Sequence, residues 1–281
     1  LHKDLKHAFL DLYSEGRPFI ASLAHVVFEC ATAGDAVACA LLEEGSFKLA
    51  ELTHAAAKHF DGDFTVVMNG VAPVEEPGPE DRAKLRQALS IPPDTVVFGI
   101  LARIEDYKGH LYLVHAAKLL KEQGRSGFRV LIAGTGSFEE DVARAVVEMG
   151  VEDVVQMLGF RADVAALLNI LDVQLNASYG TEATSLALLE GMSLGLPTIA
   201  SDYGGNPWLV TDGENGLLFP SRDSQSMAKA MAHLMDRPEE RREMGRQARE
   251  RFQTSFTGQV FAKNIENVYQ GVLKGDPHGR K

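Results

Sequence analysis

From Thr95 onward, short apolar runs alternate with longer stretches whose apolar residues recur at three- and four-residue spacing. Val96 to Ala102 is a continuous apolar run, and His110 to Gln123 carries helical periodicity through Leu111, Val114, Leu119 and Leu120. Phe128 to Gly134 predicts a second strand and Ser137 to Met149 a second helix. Val154 to Gly159, Asp163 to Leu171 and Val173 to Ser178 continue the alternation. A helix opening at Ser185, a strand over Pro197 to Asp202 and another over Gly216 to Pro220 bring the set to about six strands. Helices over Ser224 to Leu234, Glu239 to Phe252 and Thr257 to Leu273 close the pattern. Apolar strands alternating with helices predict an α/β chain whose parallel sheet is wound on both faces, a doubly wound Rossmann-like arrangement.

Upstream the pattern is different. Arg17 to Cys30 and Phe47 to Phe60 read as helices, and Asp35 to Leu41 as a strand. Phe64 to Val71 reads as a strand leading into the second part. The run Pro73-Val74-Glu75-Glu76-Pro77-Gly78-Pro79-Glu80-Asp81 has the composition of a linker. These features divide the chain into residues 1–72 and 73–281. The chain opens with Leu1 and with a helical pattern already under way, which reads as a piece of something longer.

Composition narrows the function classes. With 45% apolar and 24% charged residues the chain is globular in character. Its formal charge of −11 argues against general nucleic-acid binding, which needs a basic footprint, but leaves room for a local phosphate pocket. Cys30 and Cys39 have neither metal-ligand spacing nor a disulfide-rich context, so a reducing, cytoplasmic setting is expected. No apolar run reaches the roughly 18 residues of a membrane helix.

The candidate chemistry follows the strands. Arg103 comes directly after the first, with Lys108 and Gly109 close behind; Gly134-Thr135-Gly136 follows the second, and Gly159-Phe160-Arg161 the third. Glu182 lies in the loop after the fourth, and Ser201-Asp202 with Gly204-Gly205 follows the fifth. Ligands of an open parallel sheet bind beyond the carboxyl ends of its strands, so these motifs share one rim. No Glu or Gln stands three residues after Thr184 or Ser185 to close a capping box, so the first-turn amides of that helix form an anion site. Glu190 falls in the second turn, eight positions after Glu182. A phosphate held between two hydroxyl-gripping acids suggests a nucleotide-sugar. Gly134-Thr135-Gly136 lacks the third glycine of a dinucleotide fingerprint, since Glu139 stands there, and NAD is not expected. Asp61-Gly62-Asp63 reads as a turn, and His110, His115 and His233 as core or surface residues of helices.

Glu182 and Glu190, with Gly195-Leu196-Pro197-Thr198-Ile199-Ala200-Ser201-Asp202-Tyr203-Gly204-Gly205-Asn206-Pro207 downstream, resemble the E-x₇-E and Gly-Pro/Gly-Gly signatures of retaining GT-B glycosyltransferases, family 4. The resemblance covers roughly Phe64 to Leu273. It implies a GT-B fold in which residues 1–72 are the end of an N-terminal, acceptor-side domain and 73–281 the nucleotide-sugar domain. It also implies transfer from a nucleoside-diphosphate sugar, UDP or GDP, to a glycan, lipid-linked or small-molecule acceptor. In that reading Arg103 and Lys108 neutralise the leaving diphosphate, helped by the backbone of Thr184, Ser185 and Leu186. Glu190 holds the ribose, Glu182 the sugar, and the backbone near Phe160 and Arg161 the base; Gly134 and Gly136 join the donor site. Such enzymes use protein cations, so neither a metal nor another cofactor is expected. The inner face of the membrane is an alternative placement for a cytoplasmic enzyme of this kind. Ala183-Thr184-Ser185-Leu186 replaces the family's frequent G-F-G-L/I, which bears on the choice of sugar. No Gly-Gly-His context supplies the family's usual N-terminal histidine. The rival readings are a nucleotide-sugar-binding module without transfer and a nucleotide-sugar epimerase.

Overall fold

The computed structural model describes residues 67–180 and 184–273. Six strands form one sheet: β1 (Val96–Leu101), β2 (Phe128–Ala133), β3 (Val155–Gly159), β4 (Val173–Asn176), β5 (Thr198–Ser201) and β6 (Gly216–Phe219). Their order is β3-β2-β1-β4-β5-β6, and every pairing is parallel. The expected doubly wound sheet is therefore present with six strands.

Among the described residues the helices are α1 (Pro79–Ala88), α2 (His110–Glu122), α3 (Glu139–Glu148), α4 (Val164–Ile170), α5 (Leu186–Ser193), α6 (Asn206–Leu209), α7 (Ser224–Asp236), α8 (Pro238–Ser255) and α9 (Gly258–Leu273). Successive strand residues serve opposite faces, as the period of two demands. Phe98, Ile100, Val130 and Ile132 pack with Leu113 and Leu120 of α2 and Met227 of α7. Val97, Leu131 and Ala133 point the other way, toward Leu167 and Leu168 of α4 and Leu85 of α1. A third cluster joins Leu188, Leu189 and Met192 of α5 to Ala248 and Phe252 of α8.

Two expectations are corrected. The linker run already contains the start of α1, because Pro79 occupies the first turn, with Gly78 as N-cap and Glu80 and Asp81 beside it. Proline there loses no intrahelical hydrogen bond, and acids suit the positive end of the helix dipole. Helix α1 is anchored by Arg86, whose guanidinium donates to the Thr95 carbonyl at 2.5 Å, and by Arg82, 3.1 Å from the Asp172 carboxylate. The strand expected up to Val71 is reduced, over the described residues 67–72, to a single parallel bridge from Val71 to Thr257. The earlier elements of residues 1–66, with Cys30, Cys39 and Asp61-Gly62-Asp63, lie outside the described residues.

The seam between β1 and β4 decides where a ligand can enter. β1 stays in register with β2 from Val96↔Phe128 to Leu101↔Ala133. It pairs with β4 only through Phe98↔Val173 and Gly99↔Gln174. Gln174 then reaches from the sheet to α5. Its amide nitrogen donates to the Leu188 carbonyl at 3.0 Å and to Thr198 Oγ1 at 2.8 Å. Gly191 of α5 lies directly over this amide, and a Cβ there would overlap Gln174 Oε1. Because Gln174 is buried and doubly hydrogen-bonded, it has little room to yield. Gly191→Ala is expected to cost about 1–3 kcal/mol through overpacking, read as a lower denaturant midpoint at unchanged slope.

Candidate functional site

Beyond Gly99 and Gln174 the two central strands part, and a cavity of about 190 Å³ opens between their carboxyl ends. Gly99 to Arg103 line one side, Gln174, Asn176 and Ser178 the other, and Ser185 to Leu188 of the α5 start complete it together with Lys108. Four of the predicted donor residues, Arg103, Lys108, Ser185 and Leu186, thus share one cavity. It lies where the winding of the sheet reverses, the place where open α/β folds bind their ligands.

Local sequence explains each wall. Ser185 is the N-cap of α5, and its Oγ accepts from the Leu188 amide at 3.4 Å. The cap therefore exists without a capping box and takes up one first-turn amide. By helix geometry the Leu186 and Ala187 amides still have no intrahelical acceptor, and both residues line the cavity. Lys108 ends a 3₁₀ turn, Asp106–Lys108, and Gly109 follows in the left-handed region at φ 76°. A Cβ on Gly109 would strike the Ala177 carbonyl, so only glycine lets α2 start this close to β4. Both cations touch Tyr107: Arg103 Nη2 is 3.4 Å from its hydroxyl, and Lys108 Nζ is 5.5 Å from its ring centre. The Tyr107 carbonyl accepts from the Tyr179 amide at 2.8 Å, tying the cation loop to the loop after β4.

The other predicted residues are placed differently. Gly134 and Gly136 abut the carbonyls of Ala102 and Ile104, where a Cβ would collide, so they bring the β2 loop against the β1 loop. Phe160 follows β3 and is 75% exposed; Arg161 pairs with Asp163, its Nε at 2.7 Å and Nη2 at 2.5 Å. Neither lines the cavity described above. Thr184 precedes the N-cap and also stands outside the lining. Glu190 sits in the second turn of α5, half-buried, and burial raises its carboxyl above the ordinary 4.5. Glu182 lies outside the described residues. Gln174, Asn176 and Ser178 went unremarked in the sequence although they line the cavity. The available signal was polar residues within an apolar strand, since Gln174 and Asn176 are both buried. Asn176 Oδ1 accepts from the Ser178 amide at 3.0 Å, which turns the chain sharply at the strand end.

Among the described residues no group of three or more His, Cys, Asp or Glu could hold a metal ion. No described helix is long and apolar enough to cross a membrane. His110, the first residue of α2, is fully buried. Burial, then the Lys108 charge, push its imidazole from 6.5 down to about 4, the Glu105 carbonyl opposing.

The sheet order and the switch-point cavity define a doubly wound α/β fold of the Rossmann-like type. A model of the "Glycosyl transferases group 1" family matches residues 81–251, and the chain belongs to that family. It is 31% identical over 245 residues to a D-inositol 3-phosphate glycosyltransferase of Corynebacterium efficiens, covering 83% of this chain and 56% of the relative. Over 201 residues it is 31% identical to a putative glycosyltransferase, EpsD, of Bacillus subtilis, covering 70% of this chain and 51% of that one. The chain thus spans about half the length of these curated relatives. Its fold matches that of Anabaena HepE in complex with UDP and glucose, with a TM-score of 0.67 and 24% identity over 73% of this chain and 56% of the other.

Two pH dependences follow. Glu190 holds its proton more tightly folded than unfolded, so its ionisation opposes folding as pH rises above 4.5. Glu190→Gln is therefore expected to melt higher than wild type at about pH 7–8, the gain vanishing below the ordinary carboxylate range; an equal gain at all pH values would contradict this. His110 binds its proton less tightly folded, so it contributes stability above 6.5 that is lost as pH falls toward about 4. In His110→Phe, denaturant titrations across that window should lack this part of the acid slope.

Proposed function

We propose that this chain is the donor-binding part of a retaining family 4 glycosyltransferase, which moves a hexose-type residue from a UDP- or GDP-sugar to a glycan, lipid-linked or small-molecule acceptor. The observation that carries the reading is the convergence of Arg103, Lys108 and the amide end of α5 on one cavity at the switch point of the sheet. Membership in the glycosyl transferases group 1 family and the fold shared with a UDP-bound relative support it.

In this reading the diphosphate lies along the α5 N-terminus, where the Leu186 and Ala187 amides and the helix dipole favour negative charge. Cleavage of the sugar–phosphate bond leaves growing charge on the diphosphate. Arg103, with a planar fork, and Lys108, as a point charge, stabilise it in the transition state, the largest catalytic contribution this type of site offers. No metal takes that role. Glu190 accepts hydrogen bonds from the ribose hydroxyls, Glu182 faces the sugar, and the Phe160–Arg161 backbone borders the base. The setting is cytoplasmic, and the acceptor side belongs to the domain of which residues 1–72 are the end.

The site assignment is tested by calorimetry with UDP and GDP. Lys108→Ala and Arg103→Ala should each weaken the preferred diphosphate by about tenfold or more, the scale of a charge-assisted hydrogen bond. The corresponding nucleoside, lacking phosphates, should lose far less. Equal losses for nucleoside and diphosphate, or none for either, would count against a diphosphate at these cations.

A further inference from the structure

After β6 the chain makes a tight turn whose neighbours are pinned on both sides. The Ser221 amide donates to Asp202 Oδ1 at 2.8 Å, and the Asp223 amide to the Pro220 carbonyl at 3.0 Å. Asp223 caps α7 by accepting from the amides of Gln225 and Ser226 at 2.9 and 3.0 Å. Between these fixed points stands Arg222, at φ 65°. That is the left-handed region, which a residue with a side chain occupies only at a cost and which glycine fills freely.

The guanidinium held there lies 4.3 Å from the centre of the Tyr179 ring, a close cation–π contact. The same ring meets Tyr112 of α2 edge-on, centres 5.7 Å apart and planes at 87°. The Tyr179 amide donates to the Tyr107 carbonyl at 2.8 Å. Tyr179 is therefore fastened through its backbone to the very turn, Asp106–Lys108, that presents Lys108 to the cavity.

We propose that Arg222 is a positioning residue: stacked on Tyr179, it clamps the loop after β4 to the Asp106–Lys108 turn and so holds Lys108 in place for a diphosphate. The proposal rests on the donor reading given above. Lysine carries its charge on a flexible four-carbon stem, so its value to a ligand depends on how far the stem's base is fixed beforehand. The Tyr179 contact offsets the cost of a side chain at this left-handed turn position.

Arg222→Gly separates this role from a filler role, because it removes the guanidinium and the backbone strain together. A residue that merely completes the turn predicts an equal or higher melting temperature, with UDP affinity and amide exchange unchanged. The clamp predicts no fall in melting temperature, faster hydrogen exchange at the Tyr179 amide, and a UDP Kd raised about fivefold, the scale of one cation–π contact. In a Tyr179→Leu background the same substitution should have no further effect on UDP. Equal losses in both backgrounds would point to long-range charge and overturn the clamp, as would unchanged exchange at Tyr179. Failure of the wild type to bind UDP or GDP, with exchange still raised in the variant, would overturn the donor reading and leave the clamp standing.

Discussion

Strands β1 and β4 are neighbours in the sheet, yet their connections depart in opposite directions, to β2 on one side and β5 on the other. No crossover covers the ground between them, and their pairing ends at Gly99 and Gln174. Backbone groups beyond that point must find partners elsewhere or face a ligand. The polar lining of the cavity follows from this constraint: Asn176 turns its own chain, Gln174 turns toward α5, and the α5 start offers its amides. A doubly wound sheet cannot avoid such an opening, and here basic residues stand around it.

The walls of the opening are joined to one another by close backbone contacts. The cation loop and the loop after β4 share the Tyr107 carbonyl, the Ala177 carbonyl abuts Gly109, and the β2 loop is pressed on the β1 loop through Gly134 and Gly136. Close backbone approach at these points exists because glycine carries no Cβ. Such contacts hold the loops that carry Arg103 and Lys108 against one another.

Much of the fold was legible in the sequence because the strands are buried on both faces and so appear as apolar runs, as β1 does throughout and β2 does after Arg129. Arg103 could be placed on the rim from the strand boundary alone, and Lys108, one 3₁₀ turn further on, lines the same cavity. What escaped has physical reasons. Helix α1 was hidden by prolines that read as breakers though Pro79 suits a first turn. The strand expected before the linker found a single bridging partner, Thr257, and so stayed irregular over its described residues. Gly134 and Gly136, expected at the donor site, also meet a packing requirement of the β2 and β1 loops that their letters alone do not reveal. Arg222 was invisible because its contact with Tyr179 joins residues far apart in the chain, which no local pattern encodes.

On the donor reading, the crevice between β1 and β4 holds a nucleoside diphosphate by its phosphates. Amide chemical-shift mapping during titration with UDP and then with uridine addresses it without any substitution. The account predicts that UDP shifts the amides of Leu186, Ala187 and Lys108 first and most strongly, and that uridine leaves those three nearly unmoved. A second basic hollow, lined by Arg82, Arg86 and Arg241, opens beside the amino ends of β1 and β4. Shifts confined to that region, with Leu186 and Ala187 silent, would contradict the account.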